Sequence, residues 1–340
     1  MKNVAITIKD IARELGVSVS TVSRALQDNP SISRERREAI QTYAREHHYQ
    51  PNTIATALRS SRTTKSNLIG VVLPKFEHYF FSCILTAIEK TCGENGYFVI
   101  AAQTGDSYER EREVVEALHL QRVAGIIISL AKDTKDYTHI ESAIDDGIPM
   151  VFVDRICTGV RTSRVVVDDY AAGLTATEHL IACGCKRIAF MGATMNLEIS
   201  KNRFNGYRDA LRKHGLTVFP ELVRQCDNRE EADLLTPELM GMEEHPDGFF
   251  TINDDTALGV LYACKRLGYK VPDDVCICGF GDGIRAISCE PRLTTMEQSG
   301  HDVGQQAAQV MLDMLNGKVE PGHFVNKIVK TRLIVRATTR

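Results

Sequence analysis

The chain has 340 residues, of which 43% are hydrophobic and 25% charged, with a net charge of −3. That length holds two or three domains, and that balance is ordinary for a soluble globular protein. There is no run of about 18 apolar residues to cross a membrane, and the opening MKNVAITIKDIARELG lacks the apolar core of a signal peptide. A cytoplasmic protein with no membrane partner is expected. The ten cysteines are scattered through periodic segments. Cys183 and Cys185, like Cys276 and Cys278, stand two apart, not in the C-x-x-C spacing of zinc or redox sites. Reduced, mostly buried thiols are expected, with no metal and no other cofactor.

Charge is unevenly spread. Residues 1–65 hold 11 Lys/Arg and 6 Asp/Glu, a net of +5, and the remainder is net −8. A basic head on an acidic body fits either a nucleic-acid partner or a solvated face. The helices of the head choose between them. Ile8, Ile11, Ala12 and Leu15 form one apolar stripe, with Thr7 placed to cap its helix, Asp10 at the N3 position, and Gly16 ending it. Ser18 can cap a second helix over 19–26. Val22, Ala25 and Leu26 share its inner side, Ser20 and Arg24 point away, and Val19, Thr21 and Ser23 lie on the shoulders. Ser33 can cap a third helix, RERREAIQTYAREHHY, with Ala39, Ile40, Tyr43 and Ala44 inward.

Two short helices joined by a glycine-containing turn, with a third packed on them, make a helix-turn-helix unit. The stretch GVSVSTVSRAL then makes sense. Short hydroxyl side chains let a helix backbone approach base edges in a major groove, and arginine reaches further to guanine. Beyond it, Pro51 stops the third helix, and Asn52 can cap a short helix, TIATALR, with Ile54, Ala55 and Leu58 on one face. Such a helix is too short to be stable alone in water. A polar linker follows to Lys65.

IKDIARELGVSVSTVSRALQDNPSIS followed by YQPNTIATALRSSRT resembles the headpiece of the lac-repressor (LacI/GalR) family of bacterial regulators. The resemblance implies that Val19, Ser20 and Arg24 read bases and that Thr7, Ser18, Thr21, Ser23 and Asn29 hold phosphates. It also implies that hinge helices carrying Asn52, Ala55 and Leu58 pair in the minor groove of a dimer's operator, where Leu58 wedges between base steps.

From Ser66 apolar runs alternate with amphipathic helices: LIGVVLP, YFVIAAQT, VAGIIIS and PMVFVDR, then VVVDD, RIAFMGA, GFFTIND and VCICGFGD. Two such series predict two doubly wound parallel-sheet lobes. In such sheets ligands bind beyond the strands' carboxyl ends. Asp154, Arg155, Asp168, Asp169, Asp254, Asp255 and Asp282 stand there, so facing lobes would form a cleft for a small molecule. The body resembles the periplasmic-binding-protein fold that the same family carries, and likeness to the family spans nearly the whole chain. It implies an effector site of Phe80 and Phe81 (from EHYFFS), Asp154 and Arg155 (FVDR), Arg203 (NRFNGY), Asp254 (INDDTALG) and Asp282 (GFGD). By its own residue type His78 reads either as a hydrogen-bonding group of that pocket or as a plain surface histidine. Three departures stand out. His78-Tyr79 replaces the family's usual Asn-Pro, Gly281 replaces the first of two aspartates, and no aromatic stands near Asn228.

The expected fold is thus an all-α helix-turn-helix headpiece (1–50), a hinge (51–65) and an α/β, periplasmic-binding-protein-like body (66–340). Lobe one is expected over about 66–161 and 291–323, and lobe two over about 162–290 and 324–340. The segment LTTMEQ (293–298) reads as a strand returning between the lobes. The phosphate-loop, dinucleotide, HExxH and GxSxG signatures are absent, and Ser129-Leu130-Ala131-Lys132 matches S-x-x-K no better than chance, so no enzyme is expected. The expectation is a dimeric repressor of a carbohydrate-utilisation operon, binding a roughly palindromic DNA operator and a sugar or sugar derivative. A nucleoside or base is the alternative effector, and a solute receptor without DNA function the alternative class. No leucine-heptad tail follows TRLIVRATTR, so tetramers by that route are not expected.

Overall fold

The computed structural model describes residues 6–47, 49, 66–320 and 322–340. They fall into two units, divided at Lys65 and Ser66.

The first unit holds three helices: α1 (Ile8–Glu14), α2 (Val19–Leu26) and α3 (Arg34–Glu46). Thr7 and Asp10 close a capping box on α1, and Gly16 turns the chain with φ +61°. The Ser18 hydroxyl accepts from the Thr21 amide at 3.1 Å and starts α2. Ile11, Val22, Ala25, Ile40 and Ala44 are the core. Gln41 of α3 donates to the Ala25 carbonyl (3.0 Å) and to Asp28 (2.8 Å), which ties the end of α2 in place. Two details differ from the sequence reading. Ser33 precedes α3 without a side-chain cap bond. Ala39 is exposed, because the core's inner stripe passes through Ile40 and Ala44 instead.

The second unit holds two six-stranded sheets. The first contains β1 (Leu68–Leu73), β2 (Phe98–Gln103), β3 (Gly125–Ile128), β4 (Met150–Val153), β5 (Ser163–Val167) and β11 (Asn326–Val329), all parallel, in the order β11-β5-β4-β3-β1-β2. The second contains β6 (Ile188–Gly192), β7 (Val223–Gln225), β8 (Gly248–Thr251), β9 (Cys276–Gly281), β10 (Thr294–Glu297) and β12 (Arg332–Ile334), in the order β12-β10-β9-β8-β6-β7 with only β12 antiparallel. The first five strands of each sheet repeat one doubly wound order, 2-1-3-4-5.

Burial on both faces explains the apolar runs. Ile69, Val71, Leu73, Val151 and Val153 face α4 (Tyr79–Glu94) and α12 (Gly300–Leu315). Val72, Ile126, Ile128, Met150 and Phe152 face α5 (Tyr108–Leu120) and α6 (Thr138–Asp145). The second sheet is covered on one face by α7 (Asp169–Ala182) and α8 (Glu198–Lys213), and on the other by α9 (Arg229–Met240) and α10 (Asp254–Arg266). The short α11 (Ile284–Ser288) follows β9.

The strand pairings cut the lobes differently from the sequence reading. VVVDD looked like the first strand of the second series. It is the fifth strand of the first sheet, since β5 pairs with β4 (Val151↔Ser163). Residues 326–329 also join that sheet, through β5, whereas 294–297 join the second, through β9. The chain therefore crosses between lobes near Asp168, near Gln298 and between Val329 and Arg332. All ten cysteines are unpaired thiols, eight of them buried. Among the described residues no helix is long and apolar enough to cross a membrane.

Candidate functional site

On the head, α2 turns Val22 and Ala25 into the core and leaves Ser20 and Arg24 exposed. Val19, Thr21 and Ser23 lie half-buried at its sides. The Arg24 side chain lies back along the helix, its Nε donating to the Ser20 carbonyl at 3.3 Å, and it pairs with no carboxylate among the described residues. Its charge is therefore offered on the outward face. The Ser18 hydroxyl is occupied as a cap and lies 2.8 Å from both the Ser20 and Thr21 hydroxyls. Thr7 Oγ1 donates to Asp10 at 2.6 Å. The Asn29 side chain accepts from the Ser31 amide at 3.0 Å and shapes the turn after α2. Asn52, Ala55 and Leu58 lie outside the described residues.

In the body a cavity of about 390 Å³ lies between the two lobes, at the carboxyl ends of their strands. His78, Phe80, Phe81, Asp154, Arg155 and Arg203 line it, as expected; Asp254 and Asp282 do not.

Arg203 is the most firmly placed. Its Nε donates to Asp169 at 2.7 Å, its Nη1 donates to the Ile252 carbonyl at 2.7 Å, and its Cζ lies 3.5 Å from the centre of the Phe280 ring. Two glycines make this possible. A Cβ on Gly173 would sit 2.4 Å from the Arg203 carbonyl oxygen, and one on Gly206 would sit 2.3 Å from that of Tyr170. Only bare backbone lets α7 and α8 cross so closely that Arg203 reaches Asp169. Burial pushes the Asp169 carboxyl up to about 6, against the pull of Arg203.

Asp154 follows β4 in the left-handed region, φ +57°. Its carboxyl is buried and pushed upward by that burial, while Arg155, Arg203 and His78 pull it down. Its nearest cation is Arg155 Nε at 3.9 Å. The Arg155 guanidinium is engaged by Asp106 and stands 5.6 Å from the centre of the Phe81 ring. Burial holds His78 below the usual histidine range, opposed by Asp255 and Asp154. That burial favours the neutral ring, which carries one donor and one acceptor nitrogen. Its Nδ1 is buried with no partner among the described residues. Phe80 and Phe81, almost fully buried, belong to the first lobe's core and line the cavity from there.

Asp254 and Asp282 are spent inside the second lobe. Asp254 accepts from the Gly283 amide (2.9 Å) and the Thr295 hydroxyl (2.6 Å), which pins the loop after β9 to β10. Burial pushes its carboxyl up to about 6. Asp282 lies 2.7 Å from Arg336, which also donates to the Leu293 carbonyl and so secures the C-terminal segment. Of the two aspartates in INDDTALG, the one that lines the cavity is Asp255, paired with Arg285. Asn253 caps α10 by accepting from the Thr256 amide at 2.8 Å, and this sets which of the two aspartates faces out. At the missing aspartate, Gly281 has φ +133°, a conformation closed to side chains, and a Cβ there would meet Asp254 at 3.3 Å. Sequence reasoning also passed over Lys132, Asp227 and the apolar wall of Leu197, Ile199 and Ile252. Lys132 and Asp227 follow β3 and β7, and the strand-end rule would have found the former. The segment of β7, VRQ, carries no strand signal.

A basic head with an outward recognition helix, and a two-lobed α/β body around a polar cleft, define a ligand-responsive DNA-binding regulator. Comparison with known proteins agrees. Residues 7–52 match the bacterial regulatory proteins of the lacI family, and residues 177–339 match a periplasmic binding protein-like domain. The chain is 30% identical over 338 residues to the HTH-type transcriptional repressor PurR of Haemophilus influenzae (strain PittEE), covering 98% of each chain. It is 31% identical over 339 residues to the ribose operon repressor of Halalkalibacterium halodurans, covering 98% of this chain and 97% of that one. The fold matches that of the lac repressor dimer bound to operator and the anti-inducer ONPF, with a TM-score of 0.82, 24% identity and 99% of each chain covered. The chain belongs to the lacI family of bacterial regulatory proteins and is a DNA-binding transcriptional regulator.

Proposed function

We propose that this regulator is a homodimeric, cytoplasmic repressor of a carbohydrate-utilisation operon, with a neutral sugar as effector. The observation that carries the sugar reading is the two-sided lining of the cavity. Phe80, Phe81, Leu197, Ile199 and Ile252 offer apolar surface, and Asp154, His78 and Arg203 offer hydrogen-bonding groups in one place. A saccharide ring has apolar faces and a rim of hydroxyls, each a donor and an acceptor. A flat base would gain most from an aromatic on each face, and the wall that faces the phenylalanines is aliphatic. The ribose operon repressor among the relatives is in keeping with this class.

On the DNA side, Val19, Ser20 and Arg24 read base edges, while Thr7, Ser18, Thr21, Ser23 and Asn29 meet the backbone. The hinge residues Asn52, Ala55 and Leu58 enter the minor groove. Dimerisation through the first lobe is supported by its edge strand, where Phe98 and Ile100 are 67% and 39% exposed. A bare apolar edge of this kind calls for cover. The effector acts by shifting the balance between two lobe arrangements, and it moves that balance by no more than its differential affinity for them. The sugar is bound and released, not turned over.

The test is selection of genomic fragments on the purified protein at two salt concentrations. One palindromic site beside sugar-catabolism genes, bound less tightly at high salt and released by a sugar of that pathway, is the expected result. Recovery beside nucleoside genes, with release by a nucleoside, would overturn the sugar assignment. Retention of a bound sugar in chemically changed form would overturn the reading of a binder without turnover.

A further inference from the structure

Among the described residues one ion pair joins the two lobes across the cavity. Lys132, in the loop after β3, places its Nζ 2.6 Å from Oδ2 of Asp227, in the loop after β7 of the other lobe. The lysine side chain is 31% exposed and the aspartate 17%, so the pair is half withdrawn from solvent. Both loops are braced from behind. Buried Glu111 accepts from the Ala131 amide (2.6 Å) and the Thr134 hydroxyl (2.9 Å), on either side of Lys132. The Asp227 carbonyl accepts from the Asn253 side chain at 2.7 Å. Each charge is thus held out toward the other by its own lobe.

The same lysine has a second carboxylate within reach. Asp106, in its own lobe, lies 3.7 Å from Nζ and already engages Arg155. If the lobes part, Lys132 loses Asp227 and falls back on Asp106. Neither arrangement leaves the lysine unpaired, so the cost of opening is the lost cross-lobe attraction rather than a stranded charge. An element with two paired positions, one of them spanning the lobes, is what a two-state switch requires.

We propose that Lys132 and Asp227 form a latch that holds the two lobes closed over the cavity in the absence of effector, with Asp106 as the lysine's partner in the open form. The latch sets the resting balance on which the effector then acts. This consequence rests on the cleft being the effector site, but the test does not, because it needs no ligand.

The test is amide hydrogen exchange of the full-length, ligand-free protein, followed in residues 75–81 and 197–203 on the facing walls. Asp227→Asn is expected to speed exchange there by roughly three- to ten-fold, the range for loss of a partly buried pair, and to leave β3 and β8 unchanged. Raising salt to about 1 M on the unaltered protein should act in the same direction. Asp227→Glu, which keeps the charge opposite Lys132, should leave exchange within about two-fold of the original. The latch is refuted if Asp227→Asn leaves both walls unchanged, or if Asp227→Glu exchanges as fast as Asp227→Asn with β3 still protected. If a variant loosens β3 as well, its fold is disturbed and the salt arm decides: no acceleration in high salt refutes the proposal.

Discussion

The substitution Asp169→Asn isolates one buried charge behind the cavity, where it holds the lining residue Arg203. Asparagine would keep the shape and an oxygen for Arg203 Nε, now 2.7 Å from the carboxylate, and would remove only the ionisation. Burial raises the folded carboxyl from 3.8 to about 6, and that difference corresponds to about 3 kcal/mol held against the folded state when the group is ionised. The sign follows from the direction. A carboxyl raised on folding adds stability that is fully present below the unfolded value, near 4, and is lost as pH rises through about 6. The original protein should therefore regain about half of those ~3 kcal/mol between pH 8 and pH 5, and the remainder below that. The asparagine variant titrates at this position in neither state and lacks this slope. Asp254 is also raised by burial but is common to both proteins and cancels in the comparison; Asp154, raised by burial too, adds to the rise of Asp169, so it shares in the slope that the substitution removes. The constant offset between the two proteins contains Arg203's lost counter-charge; the slope does not. Thermal unfolding of the body should show the difference in midpoint between variant and original shifting by roughly 3–5 °C between pH 8 and pH 5. A difference that stays flat across this range would show that Asp169 ionises normally, and the reasoning about its burial would fail.

The other predictions test the remaining surfaces. Arg24→Ala removes the outward charge of the recognition helix and should lower the preference for operator over scrambled DNA by roughly 1–3 kcal/mol, with the thermal transition of the body unchanged; equal selectivity in a competition gel-shift would remove Arg24 from base reading. Ile11→Ala hollows the small core of the head and should cost roughly 2–5 kcal/mol. Operator binding should then be lost while the body's thermal transition stays in place, and operator affinity within two-fold of the original would contradict the packing described. Phe98→Glu puts a charge on the bare edge of the first sheet, and sedimentation equilibrium should then report monomers; an unchanged dimer would move the interface elsewhere.

Residues buried on both sides of a sheet announce themselves in sequence, because nothing polar interrupts them. LIGVVLP, VAGIIIS and RIAFMGA could be read as strands for that reason, and their order led to doubly wound lobes. What an apolar run cannot carry is the identity of its neighbour. VVVDD is as apolar as any strand of the second lobe, and only its pairing with Val151 and Val153 assigns it to the first. The strands that escaped notice lie at sheet edges: NKIV is exposed along most of its length, and VRQ is only half-buried. The cleft follows the same logic. Residue type and position at a strand end picked out Asp154 and Arg155, and the family resemblance picked out Arg203; the structure brings all three to one cavity. Which of two adjacent aspartates faces the cavity depends on where the next helix begins. Neighbours in a helix point about 100° apart, so once Asn253 caps α10, Asp254 turns to Thr295 and Gly283 while Asp255 turns to the cavity. Shift that cap by one residue and the roles would exchange. Lys132 and Asp227, 95 residues apart in the chain, meet only because two loops on separate sheets face one another. The chemistry of the cleft was therefore readable as far as one strand or one helix determines it, and was hidden where two lobes must close to create it.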